Sequence, residues 1–144
     1  TSDSCNLSPY DPLVERIETR ICELMGIDPR HGETLQGQVY EVGQQFKAHF
    51  DHFAKNTAYW GDMMKQGGQR SWTAMIYLNQ PGAGGETEFC NAGMTVQPRT
   101  AMLVLWNNMD EAGVPNMATL HASLPVQAGT KYIVTKWFRE KFWV

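Results

Sequence analysis

The 144-residue chain has few cysteines, few histidines and no excess of basic charge. Its three cysteines, Cys5, Cys22 and Cys90, lie far apart with no CxxC pair, which argues against a zinc ribbon and a fully paired disulfide framework. This usage favours a reducing, cytoplasmic setting, with one disulfide plus a free thiol as the alternative. A net charge of -3 offers no basic footprint for phosphate backbones, so nucleic acid is not an expected partner. No apolar run approaches the roughly 18 residues that a membrane span needs, and the opening "TSDSCN" is polar, without a charged start and a hydrophobic segment behind it. What is present is a 42% hydrophobic content, ordinary for a globular protein, in a length that suits one domain with a real core.

The stretch "YDPLVERIETRICELMG" reads as an amphipathic helix. Leu13, Val14, Ile17, Ile21, Leu24 and Met25 fall on one face, with Asp11-Pro12 as its start and Gly26 as its stop. After a turn-rich "GIDPRHGE", everything reads as strands, expected over 34–42, 46–53, 72–79, 87–90, 94–97, 101–106, 117–124 and 130–139. About eight short strands behind one helix suggest a jelly roll, though another sandwich or barrel shares that spacing. The long connection 54–69, "AKNTAYWGDMMKQGGQ", has the length of a functional or mobile loop.

Within "YEVGQQFKAHFDHF", strand alternation puts His49 and Asp51 on one face and Phe50 and His52 on the other. His52 is therefore expected to be a hydrogen-bonded structural residue. Of the other histidines, His121 falls in an expected strand and His31 in a polar turn, which makes His121 the best candidate for a third ligand. Two histidines and one carboxylate on one face of a metal leave positions open for chemistry, as in non-heme Fe(II) oxygenases, while zinc takes the same ligand types. Lys131 follows His121 by ten residues, across a Pro and a Gly that fit a turn, and a lysine drawn inward there could meet a carboxylate.

Four segments in order, "YEVGQQFKAHFDHF", "GGQRSWTAMIYLN", "GAGGETEFCNAGMTVQP" and "TLHASLPVQAGTKYIVTKWFRE", make the chain resemble the prolyl 4-hydroxylase branch of the 2-oxoglutarate/Fe(II)-dependent dioxygenases. The resemblance implies a mainly β, double-stranded β-helix (jelly-roll) fold with an N-terminal supporting helix. It also implies Fe(II), 2-oxoglutarate and O2, with ascorbate as reductant. By position it makes His49, Asp51 and His121 the metal ligands and sets Lys131, Tyr40 and Thr87 on the far carboxylate of 2-oxoglutarate. Arg70 and Trp137 fall at positions that line the peptide side. The implied partner is an extended peptide or protein segment containing proline, against walls that Tyr59, Trp60, Trp72 and Trp137 could supply.

Family members carry a helix and strands upstream of the "TS..C" segment, so the single domain at 1–144 is expected to lack an N-terminal portion. Thr100 stands where the family usually has glycine, which bears on the turn there. Two other readings stay open: a non-catalytic metal-binding jelly roll, and the same chemistry on a small molecule or another side chain.

Overall fold

The computed structural model describes residues 1–143. Its single long helix, α1 (Pro12–Met25), forms where the sequence supplies both ends. Asp11 accepts from the backbone N–H of Leu13 and Val14 at 2.9 and 3.3 Å, proline occupies the first turn, and Gly26 ends the helix in the left-handed region at φ 65°.

Three antiparallel sheets follow. The largest joins β1 (Asp3–Asn6), β2 (Gln36–Tyr40), β11 (Lys131–Arg139), β4 (Arg70–Tyr77) and β8 (Leu103–Asn107) in that spatial order. Facing it, β3 (Phe46–His49), β9 (His121–Ser123), β6 (Thr87–Phe89) and β7 (Met94–Val96) form a second sheet. The short pair β10 (Val126–Ala128) and β5 (Ala83–Gly84) completes the double-stranded β-helix.

Period-2 alternation divides the large sheet between two tasks. Val134 and Phe138 of β11 and Ala74 and Ile76 of β4 face outward, where Val14, Ile17, Ile21 and Cys22 of α1 cover them. The intervening residues Ile133, Met75 and Tyr77 point inward and pack with Trp106 and Phe89 between the sheets. One strand therefore supports a helix on one face and walls a cavity with the other.

Several expectations shift. Leu13 and Leu24 are 62% and 67% exposed, so the covered helix face is rotated toward Cys22. Glu18 replaces them at the boundary, where it accepts from Lys136 at 2.9 Å. The expected strand 46–53 ends at His49, and Asp51 sits in the bend beyond it. The loop 54–69 contains a short helix, α2 (Trp60–Lys65), and the stretch 117–124 splits into a 3-10 turn, Met117–Thr119, and β9. Strands β1, β5 and β10 were not expected.

The turn at Thr100 is also different in kind. Thr100 does not take positive φ; Ala101 does, at 66°, the only non-glycine to do so among the described residues. A side chain with Cβ costs about 1 to 2 kcal/mol in that region. Ala101→Gly should raise stability by up to about 1 kcal/mol after the entropy of the unfolded chain is subtracted. Denaturant midpoints of the two proteins test this.

Candidate metal centre and its cavity

His49 ends β3 directly opposite His121, the first residue of β9. The bend after β3 returns Asp51 between them, so that its Oδ1 lies 3.4 Å from His49 Nε2 and 3.5 Å from His121 Nε2. Each imidazole is oriented by its other nitrogen: Nδ1 of His49 donates to the Lys47 carbonyl at 2.8 Å and Nδ1 of His121 to the Thr119 carbonyl at 2.7 Å. With Nδ1 protonated, both Nε2 lone pairs face the site.

Three acceptors that face one another require a positive charge between them. A proton on one imidazole bridges one pair; a divalent ion serves all three. Ligands about 2.1 Å from a common ion stand about 3.0 to 3.4 Å apart, close to the spacing observed. Burial pushes the His121 imidazole down, which keeps it neutral as a ligand must be. Burial opposes ionisation of Asp51, yet at the acid pH where it titrates the imidazoles carry protons, and these with the Thr73 hydroxyl more than offset burial and hold the carboxyl at about 2. Among the described residues this is the one group of three such ligands that converges.

The second oxygen of Asp51 is held separately. Oδ2 accepts from Thr73 Oγ1 at 2.8 Å and from the Trp137 indole Nε1 at 3.2 Å, and Asn108 Nδ2 in turn donates to Thr73 Oγ1 at 2.9 Å. These donors leave Oδ1 aimed at the histidines. Trp137→Phe keeps the ring packing and removes one donor, and partners of this type are typically worth about 10- to 100-fold in metal affinity. A loss of that size in Co(II) or Fe(II) titrations, with the circular dichroism unchanged, is the expected outcome.

His49, Asp51 and His121 open into a cavity of about 840 Å3. At its other end Lys131 is 1% exposed. Its Nζ donates to the Gly85 carbonyl at 3.0 Å and to the Ser123 hydroxyl, and stands 4.3 Å from the centre of the Tyr40 ring, the residue opposite it on β2. Gly85, at φ 77°, leaves room for the lysine stem, because a Cβ there would fall 3.0 Å from Lys131 Cδ. No carboxylate stands within ion-pair distance of this ammonium among the described residues, and burial pulls it down to about 8 against the more distant Glu86 charge. Tyr40 and Thr87 line the same cavity. The Thr87 hydroxyl is hydrogen-bonded to the Tyr77 phenol, and burial pushes the Tyr40 and Tyr77 phenols up, which keeps both neutral.

Arg70 and Trp137 also border the cavity, stacked at 4.2 Å from guanidinium carbon to ring centre. Arg70 is already committed: its Nε and one terminal nitrogen grip Glu33 at 2.7 and 2.9 Å. Of the other aromatic residues expected near substrate, Trp72 is 39% exposed and pairs with Asn107 outside the cavity, and Tyr59 and Trp60 belong to the 54–69 segment. His52 departs from expectation, since neither ring nitrogen has a hydrogen-bond partner among the described residues and the ring stacks on Phe50 at 4.7 Å. His31 lies elsewhere, with Nδ1 donating to the Arg139 carbonyl.

Sequence reasoning missed Ser123, Thr73, Asn108 and Glu33. Ser123 could have been found, because alternation on β9 puts it on the same face as His121. The others come from elements remote in sequence.

Residues 35–139 match the 2OG-Fe(II) oxygenase superfamily. The chain is 38% identical over 143 residues to the prolyl 4-hydroxylase subunit alpha-1 of Gallus gallus, covering 97% of this chain and 27% of that protein. The human subunit gives 37% identity with coverages of 97% and 26%. The chain thus spans about a quarter of the length of the curated relatives it matches. Among solved structures, the viral collagen prolyl hydroxylase of Paramecium Bursaria Chlorella virus-1, in complex with 2OG, superposes with a TM-score of 0.81 at 26% identity, covering 96% of this chain and 79% of that one. A convergent His-Asp-His group thus lies inside a match that spans most of the chain, and the chain belongs to the 2OG-Fe(II) oxygenase superfamily.

Proposed function

We propose that this domain hydroxylates proline residues in a peptide or protein, using Fe(II), 2-oxoglutarate and O2 and releasing succinate and CO2. The observation that carries the reading is Lys131. A buried ammonium with no carboxylate in ion-pair contact among the described residues, facing a cavity that also holds a metal-binding group, is a receptor for an anion that also reaches the metal. A dicarboxylate with a ligating oxo acid at one end has that shape.

His49 Nε2, Asp51 Oδ1 and His121 Nε2 would hold the Fe(II), which, with 2-oxoglutarate and O2, supplies the oxidising power. Lys131 would fix the far carboxylate, and Ser123, already on its Nζ, sets the ammonium's direction. With the Tyr77 phenol donating to Thr87, the Thr87 hydroxyl hydrogen is left for that carboxylate, and the Tyr40 phenol can add another. Between the two ends Met75, Trp106 and Ile133 line the cavity and exclude water from the co-substrate chain. One oxygen atom of O2 goes to the new proline hydroxyl and the other to succinate.

Proline as target is supported by the prolyl 4-hydroxylase subunits and the viral collagen prolyl hydroxylase that the chain resembles. The open side of the cavity suits an extended, proline-containing peptide, with Arg70 and Trp137 as a flat wall. The test is iron-loaded protein incubated with 2-oxoglutarate and a proline-rich peptide pool. Succinate together with one added oxygen on proline, both abolished by Asp51→Ala, is expected. Protein that binds Fe(II) and 2-oxoglutarate, makes succinate, and oxidises no proline would overturn the substrate assignment.

A further inference from the structure

We propose that Arg139 is a positioning residue that holds the 54–69 segment against the substrate wall of the cavity, and so sets the affinity for the peptide; this rests on the hydroxylase reading above. One guanidinium joins two parts of the molecule. Its Nε donates to Glu33 at 2.6 Å, the same carboxylate that Arg70 grips. A terminal nitrogen donates to the carbonyls of Gln66 and Gly68 at 2.7 and 3.0 Å, and to that of Met63 at 3.3 Å, gathering the end of α2 and the turn after it.

The surrounding residues are built around this grip. The Gln69 side chain clamps Phe53 from both sides, accepting from its N–H at 2.6 Å and donating to its carbonyl at 3.0 Å, so both ends of the segment are tied together. The Phe53 ring lies 4.8 Å from the guanidinium carbons of both Arg70 and Arg139. Gly67, at φ 97°, permits the close approach, because a Cβ there would lie 3.1 Å from Arg139 Cβ. Contacts thus run without interruption from α2 through Arg139 and Glu33 to Arg70, then to Trp137 and the Asp51 carboxylate. Moving α2 shifts the wall that the peptide meets, whereas Lys131 and its partners lie outside these contacts.

A lysine at 139 keeps the charge beside Glu33 but cannot reach the carboxylate and three carbonyls at once. Lys55 and Lys65 place trypsin sites near the two ends of the segment. The experiment compares Arg139→Gln and Arg139→Lys with Lys136→Met, which removes an ion pair on the opposite face of the same strand. Trypsin cleavage at Lys55 and Lys65 in the native protein should accelerate about tenfold in both Arg139 variants, following the opened population. The KM for a proline peptide should rise about tenfold with the KM for 2-oxoglutarate within twofold, and Lys136→Met should lower Tm with neither change. If Arg139→Gln does not fold, Arg139→Lys carries the test.

Unchanged cleavage, or both KM values moving together as in a general loss of folded protein, overturns the proposal. If no peptide is hydroxylated, the hydroxylase reading fails. The protease arm then still decides whether Arg139 anchors the segment.

Discussion

Lys131→Met is expected to yield a protein more stable than the wild type without co-substrate and almost unable to bind it. Burial lowers the lysine from 10.5 to about 8, a difference that corresponds to about 3 kcal/mol. The sign follows from proton counting. Above 10.5 neither state holds the proton and no penalty exists. As pH falls from 10.5 toward 8 the unfolded chain takes up the proton first, so folded stability is progressively lost, and below about 8 the full cost is present. Methionine fits a similar volume without charge and removes that cost. It leaves the Gly85 carbonyl without its donor, which returns about 1 to 2 kcal/mol, so a net gain of about 1 to 2 kcal/mol at pH 7 is expected. Urea denaturation should show the variant more stable at pH 7 and its advantage lost or reversed at pH 10, where the lysine's cost has largely gone and only the unpaired Gly85 carbonyl remains.

The same substitution should weaken 2-oxoglutarate binding by about 100- to 1,000-fold, from the cost of leaving one partner of a buried ion pair unpaired. Fe(II) affinity should stay within a few-fold, because Lys131 touches none of the three ligating groups. In the wild type, 2-oxoglutarate affinity should be flat below pH 8 and fall about tenfold per unit above it, as the ammonium deprotonates. Calorimetry across pH 6.5 to 9.5 checks both. An unchanged affinity in Lys131→Met would remove the lysine from the co-substrate site and with it the main support for the proposed reaction.

The residues whose chemistry is unusual for their surroundings were the readable ones. His49 and Asp51 stand out because polar groups two apart in an aromatic-rich stretch have no reason to be there in a solvated strand. The face they share was inferred from strand alternation, yet β3 ends at His49 and Asp51 arrives through a bend. The conclusion holds because a bend that returns the carboxylate places it as alternation would have. α1 was legible for a different reason, since Asp11, Pro12 and Gly26 are local signals that need no tertiary partner.

What could not be read depends on contacts between remote elements. Leu13 and Leu24 are apolar and in phase, but the sheet reaches only as far as Glu18 and Lys136, and only the folded molecule shows that limit. α2 has six residues and no side-chain cap, so its form comes from Arg139 gathering its end carbonyls, a residue more than seventy positions away. Strands β5 and β10 have two and three residues and become strands only by pairing with each other. Trp137 illustrates both sides: its place beside the cavity follows from resemblance, while its bond to Asp51 shows only in the folded molecule.

Glu33→Gln should be strongly destabilising. Glu33 is the only carboxylate among the described residues that meets Arg70 and Arg139, with contacts of 2.7 and 2.6 Å, and the Arg139 side chain is 3% exposed. Burial opposes ionisation of Glu33, but the two guanidiniums more than offset it and hold its carboxyl below the usual range. The amide keeps the shape, removes the charge, and leaves two clustered cations with nothing between them. Removing one partner of a buried pair typically costs about 3 to 5 kcal/mol, and a loss of that order in denaturant unfolding is expected here. Since the folded value lies below the unfolded one, this stability is present above the unfolded pKa of Glu33 and is lost as pH falls through the folded value. The wild type should therefore lose stability more steeply than the variant as pH falls below the ordinary glutamate range, and the two curves should approach each other at the acid end. Parallel curves over that range would show that the carboxylate charge does not hold this cluster together, and the strut from α2 to the cavity wall would have to rest on the backbone carbonyls alone.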